Sequence, residues 1–254
     1  MKRRLKLIML VISSVTLALL LTSCDKVSSD GNGDNNNNGN GEDNSTYDID
    51  AEGVPRFVFT NYIELAKIRI ISKFRSAVGH DYSDDFESCR SMKHYFQPKP
   101  TVDWSKVKIF SPVDGTVTGV NEDTDGSQVR IQSTEHPAFF FILFHVNLEN
   151  PLAPGDNISE GQRLGTHIGS QTMSDIAVGV NTPTGWKLIS FFEVMKDSLF
   201  QDYKDRGVGS RDTAVISKEN RDADPLTCNG EIFANSGSLT NWVILTAPLP
   251  YSNK

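Results

Sequence analysis

The side chains of this 254-residue protein best suited to chemistry are its five histidines and the acids near them. His80 stands four positions before Asp84 in Gly79-His80-Asp81-Tyr82-Ser83-Asp84. An imidazole nitrogen and a carboxylate oxygen both suit zinc, and the even spacing would set them on one face of a strand. Spacing alone decides little, because 32 acids among 254 residues put an acid at that distance from about one histidine in eight by chance. Asp81, Asp84 and Asp85 together also fit a solvated loop tolerant of calcium. His145 falls near the end of the apolar run Phe139 to Val146, where an imidazole either moves a proton or bonds to backbone in the core. His94 beside Tyr95, His136 before Pro137 and His167 in a glycine-flanked turn read as structural or exposed.

The elements that must position these groups are mostly strands. Val117 to Val120 and Val129 to Ile131 flank a stretch rich in turn residues and predict a hairpin. Phe139 to Val146 is too short for an ordinary helix and rich in aromatics, so it reads as a buried strand. Ile176 to Val180 and Leu188 to Val194 continue the pattern, and a short helix is expected around Asp197 to Arg206. Near the amino-terminal end, Asn61-Tyr62-Ile63-Glu64 resembles a helix-start box, and Leu65, Ile68, Ile71 and Phe74 fall at near-helical spacing. A helix over Asn61 to Phe74 is the first reading, with a strand at Ile68 to Ile71 as its alternative. Residues 51 to 254 are long enough for one domain with a proper core, and no second linker divides them.

Two glycine turns carry a family resemblance. Ser111-Pro112-Val113-Asp114-Gly115-Thr116-Val117 is followed by the strand ending in His145, then by Gly155-Asp156-Asn157-Ile158-Ser159-Glu160-Gly161-Gln162-Arg163-Leu164-Gly165. In type and order these resemble the M23 or LytM-like zinc peptidases, convincingly over about a third of the chain. The resemblance implies a mainly β barrel-sandwich hybrid fold with one N-terminal helix and one short C-terminal helix. It implies zinc ligands at His80 and Asp84, and a catalytic role for His145 in activating water or steadying the transition state. The family's His-x-His motif is altered: Asp175 stands at its first position and Ala177 at the second, the third zinc ligand. Shifting the match to Ile189 to Val194 recovers Phe-Glu-Val but no histidine. A segment from Asp85 to Phe110, carrying Cys89, Lys93 and His94, separates the metal pair from the hairpin further than usual. The expected result is a catalytically degenerate module that binds peptidoglycan or another glycan-peptide, or regulates a partner hydrolase. The alternative is an active zinc endopeptidase whose third ligand is Asp175, His145 or His167. Met92-Lys93 matches the biotin or lipoate dipeptide of related sandwich folds, but it precedes the Pro112 hairpin instead of lying between symmetric half-barrels. Neither cofactor is expected.

The first 23 residues read as an export signal: Lys2, Arg3, Arg4 and Lys6, an apolar stretch from Leu7 to Leu21, then Leu21-Thr22-Ser23-Cys24. The last four resemble a bacterial lipobox, so Cys24 is the expected lipid-modified start of a membrane-anchored protein. Residues 24 to 50 are rich in Asn, Gly, Ser and Asp and read as a disordered tether at the periplasmic face or cell surface. Losing four basic residues with the signal takes the formal charge from −7 to −11, which argues against nucleic acid as a partner. Export to an oxidising compartment leaves Cys89 and Cys228 to pair as one disulfide, with free buried thiols as the other possibility.

Overall fold

The computed structural model describes residues 45–246. The export signal, Cys24 and nearly all of the tether lie outside the described residues. Tyr47 already belongs to the folded part: its N–H donates to Asn181 O and its ring meets Phe139 edge-on at 5.4 Å. The strands are β1 (Ile68–Ser72), β2 (His94–Pro98), β3 (Lys108–Phe110), β4 (Gly115–Asp123), β5 (Gly126–Ser133), β6 (Phe139–Leu148), β7 (Asn157–Ile158), β8 (Arg163–His167), β9 (Ser174–Thr182) and β10 (Gly185–Ile189), followed by β11 (Cys228–Asn229), β12 (Ile232–Phe233) and β13 (Trp242–Ile244). The helices are short: α1 (Ile49–Glu52), α2 (Phe191–Val194), α3 (Asp197–Lys204) and α4 (Lys218–Ala223). The fold is mainly β, as the sequence implies.

Eleven strands form one sheet in the order β13-β1-β2-β9-β6-β5-β4-β7, with β10 on β9 and β8 joining β6 to β3. The sheet forks at β6. Residues Phe139 to Leu143 pair with β9, whereas Val146 to Leu148 pair with β8. Between these two stretches β6 carries one more residue than β5, since Ser127 pairs with Val146 but Val129 pairs with Leu143. His145 sits in this bulge with φ of 60°. A bulge bends its strand and re-aims a side chain, and here it turns the histidine where β6 leaves one neighbour for the other.

The apolar run of β6 is buried on both sides. Phe139, Phe141 and Leu143 enter the main core with Val129, Ile131, Val178 and Phe191. Ile142 and Phe144 point to a smaller cluster with Phe74, Met92, Ala177 and Leu188. The hairpin of β4 and β5 forms as expected but with a tighter turn, Asp123 facing Gly126. The helix near Asp197 is present as α3.

The helix over Asn61 to Phe74 does not form. Leu65–Lys67 is a single 3-10 turn and Ile68–Ser72 is β1, held between β2 and β13. Three β-branched isoleucines at positions 68, 70 and 71 fit a pleated surface better than a helix, so strand pairing overrides the helical spacing. Of Leu188 to Val194, only Leu188 and Ile189 are strand. Ser190 and Glu193 make a reciprocal capping box that starts α2, so Phe-Glu-Val lies on a helix. The segment from Asp85 to Phe110 is no appendage, since β2 within it lies between β1 and β9.

Candidate functional site

β9 and β6 bring Asp175 and His145 together: Asp175 Oδ1 lies 3.3 Å from His145 Nε2. His145 Nδ1 is 2.9 Å from Asp125 O in the β4–β5 turn, and Thr172 Oγ1 is 3.3 Å from Nε2. Gly126 of that turn, at φ of 93°, packs on the His145 backbone, where a Cβ would sit 3.0 Å from its carbonyl carbon.

The other carboxylate oxygen reaches a residue that the peptidase motifs do not mark. Lys93 Nζ is 2.6 Å from Asp175 Oδ2, and the side chains are 1% and 0% exposed. The same ammonium lies 3.3 Å from His80 Nε2 and sits over three rings, at 4.0 Å from Phe144, 4.8 Å from Tyr82 and 5.0 Å from Tyr95. Burial works most strongly against the charge on Lys93, but the Asp175 carboxylate together with Tyr95 and Tyr82 outweighs it and the pKa is raised. The Lys93 contact to Asp175 is a close ion pair whose angles fall short of a good hydrogen bond. Register explains the gathering: Tyr95 of β2 pairs with Asp175 of β9, which brings the chain just before β2 beside it. Gly79, at φ of 75°, lets Tyr95 approach, since a Cβ there would run into the phenol ring.

His80 therefore joins the site, but not with Asp84. Its Nδ1 is 2.9 Å from Asp81 O, and its pKa is lowered by burial and then by Lys93. Asp84 is turned to the backbone: Oδ1 accepts from the N–H groups of Phe86 and Glu87, and Oδ2 from Leu188. Residues 80–84 are irregular, with only an isolated bridge from Tyr82 to Ser91, and not a strand, so the four-residue spacing does not put the two side chains on one face. The expectation of a His80–Asp84 metal pair is corrected on that ground. Ala177 is buried in the smaller apolar cluster and offers no donor.

These residues do not fit zinc as they stand. A zinc site takes three or four protein donors about 2 Å from the metal. Here Ala177 has none, Asp84 serves three amides, and an ammonium lies against Asp175 and His80. Among the described residues no group of three or more His, Cys, Asp or Glu stands ready to hold a metal ion.

The remaining histidines divide. His94 is core: Nδ1 is 2.8 Å from Ser72 O, Nε2 is 2.8 Å from Ser190 Oγ, and burial lowers its pKa to about 4. His136 packs on Phe57 at 4.4 Å. His167 pairs across from Val146, accepts from Gly169 N at Nδ1, and lies 5.6 Å from the Trp104 ring. Burial lowers its pKa to about 4 as well. Beyond Trp104 opens a cleft of about 540 Å³, lined by Asp103, Ser105, Ser170 and Gln171 among others. Cys89 and Cys228 form the expected disulfide, with Cα atoms 5.7 Å apart. It holds β11 near His80, where Asp81 N donates to Glu231 O at 2.7 Å and Glu231 Oε2 is 3.8 Å from His80 Nδ1.

No family model and no curated protein matches this chain. Solved structures do. The SpoIIQ–SpoIIIAH pore-forming complex aligns with a TM-score of 0.40 and 11% identity, over 56% of this chain and 92% of that one. The M23 metalloprotease pseudoalterin from the deep sea gives 0.33 and 14%, over 55% and 75%. A lytM-type glycyl-glycine endopeptidase from Ruminococcus gnavus gives 0.33 and 15%, over 40% and 44%, so the match spans less than half of that structure. The likeness is one of fold.

Proposed function

We propose that this protein is a cell-envelope lipoprotein whose LytM-like domain binds peptidoglycan or a related glycan-peptide without cutting it, or regulates a partner hydrolase. The observation that carries the reading is the engagement of Asp175 by Lys93. Catalysis by a zinc peptidase needs a metal with an open position for water and groups aimed at a developing oxyanion. In this chain a fixed ammonium holds the acid at that place, and a carboxylate faces the strand-end histidine. The strands and glycine turns that shape a groove do not depend on the metal, so binding is the function that survives. The alternative of an active endopeptidase with Asp175 as its third ligand would require Asp175 to leave Lys93, stranding a buried charge.

The cleft beside Trp104 and His167 supports a ligand with apolar faces and many hydroxyl or amide groups. The half-buried Trp104 indole suits the former, and the Asp103, Ser105 and Gln171 side chains suit the latter. Sedimentation with purified peptidoglycan tests the reading. The protein is expected to pellet with the sacculi, to do so less after Trp104→Ala, and to release no soluble fragments. Absence from the pellet, or steady release of fragments, overturns it. The anchor is tested separately by Cys24→Ala, which should leave an exported protein that no longer partitions into detergent. Unchanged partitioning would place the anchor elsewhere.

A further inference from the structure

The groups around Lys93 have the chemistry of a metal site. His80 Nδ1 faces the Asp81 carbonyl, so that nitrogen carries the proton and Nε2 turns its lone pair to the ammonium. The His145 ring has Nδ1 on the Asp125 carbonyl and Nε2 toward Asp175 Oδ1. Backbone carbonyls that fix one ring nitrogen and aim the other are the usual outer support of metal-binding imidazoles. Asp175 lies between the two rings, and its Oδ2 and His80 Nε2 both point at one atom, Lys93 Nζ. They stand from it at hydrogen-bond distance, further than metal–ligand bonds, as suits an ammonium and not a bare cation.

We propose that Lys93 Nζ is a tethered cation standing where a divalent ion of the zinc class would be held, and that the pocket is a latent metal site closed by this one side chain. The inference rests on reading the natural domain as metal-independent. Lys93 is a positioning residue: it neutralises Asp175 and orients His80 as a metal would, while the rings of Phe144, Tyr82 and Tyr95 close the remaining directions. An ammonium bonded through its own chain cannot be removed by a chelator or lost when metal is scarce. It also repels a second cation from the same donors.

Replacement of the side chain tests this. An imidazole at position 93 ends short of the Nζ position by roughly one metal–nitrogen bond, about 2 Å. Lys93→His should therefore offer a third donor around the vacated point, with Asp175 and His80. This variant is expected to retain about one zinc per chain after dialysis, to give a tetrahedral absorption band with cobalt(II), and to lose both when Asp175→Ala is added. Lys93→Ala is expected to bind zinc more weakly and to melt higher when zinc is present. If either variant fails to fold alone, refolding with zinc should restore its thermal transition. A folded Lys93→His protein that takes up no zinc, or an unfolded one that zinc does not rescue, overturns the inference and leaves the proposed function standing. Tight zinc in the unaltered protein overturns both.

Discussion

Lys93 Nζ meets Asp175 Oδ2 at 2.6 Å in the interior of the domain, with almost none of either side chain exposed. A buried ion pair is costly to split, because removing one partner leaves the other charged and unsolvated. Asp175→Asn and Lys93→Met should each lower stability by about 3 to 5 kcal/mol in urea unfolding. Combining them should cost less than the sum by at least about 1 kcal/mol, because the double variant strands no charge. Strictly additive losses would mean that the pair is not coupled.

Neutral buried histidines give acid sensitivity of a defined sign. His94 and His167 each have their pKa lowered from 6.5 to about 4 by burial. Between those values the unfolded chain binds protons that the folded one does not, so stability is full above about pH 6.5 and falls as pH drops toward 4. His80 and His136 are lowered too and act in the same direction. Urea midpoints should decline from pH 7 to pH 5, before ordinary carboxylates titrate, and His94→Gln should flatten part of that slope. A constant midpoint across this range would contradict the assignment of neutral, buried imidazoles.

Much of the fold was legible because its signals were local. The β4–β5 hairpin, the buried strand β6 and helix α3 follow from alternation, aromatic content and turn residues. Strand β1 was misread in its favoured form because Leu65, Ile68, Ile71 and Phe74 suit a helix, while the partners that make it a strand, β2 and β13, lie far along the chain. Half of the site was legible. His145 and Asp175 lie 3.3 Å apart, but Asp84 turns to backbone amides and the peptidase motifs leave Lys93 unmarked. A usable signal existed: Asp175 opens the greasy strand Ile176 to Val180, and a buried acid needs a cation. Lys93, flanked by Met92 and the β2 aromatics Tyr95 and Phe96, was the lysine in apolar company that could supply it.

The disulfide should be measurable directly. Intact mass after alkylation without reductant is expected to show no modification at Cys89 or Cys228. Opening the bridge by Cys89→Ser with Cys228→Ser should lower stability by up to about 4 to 5 kcal/mol on the loop-entropy view. It should also loosen the β11–β12 hairpin beside His80, read as faster amide exchange at Asp81, whose N–H bonds Glu231 O. Two alkylated cysteines in oxidised, folded protein would exclude the bridge.

Metal content of the unaltered protein tests the central claim most directly. After purification in zinc-containing buffer and exhaustive dialysis, the account predicts far less than one zinc per chain, with a melting temperature unchanged by chelator. Stoichiometric zinc that survives dialysis, together with peptide release from peptidoglycan that His80→Ala abolishes, would contradict it and establish an active zinc endopeptidase.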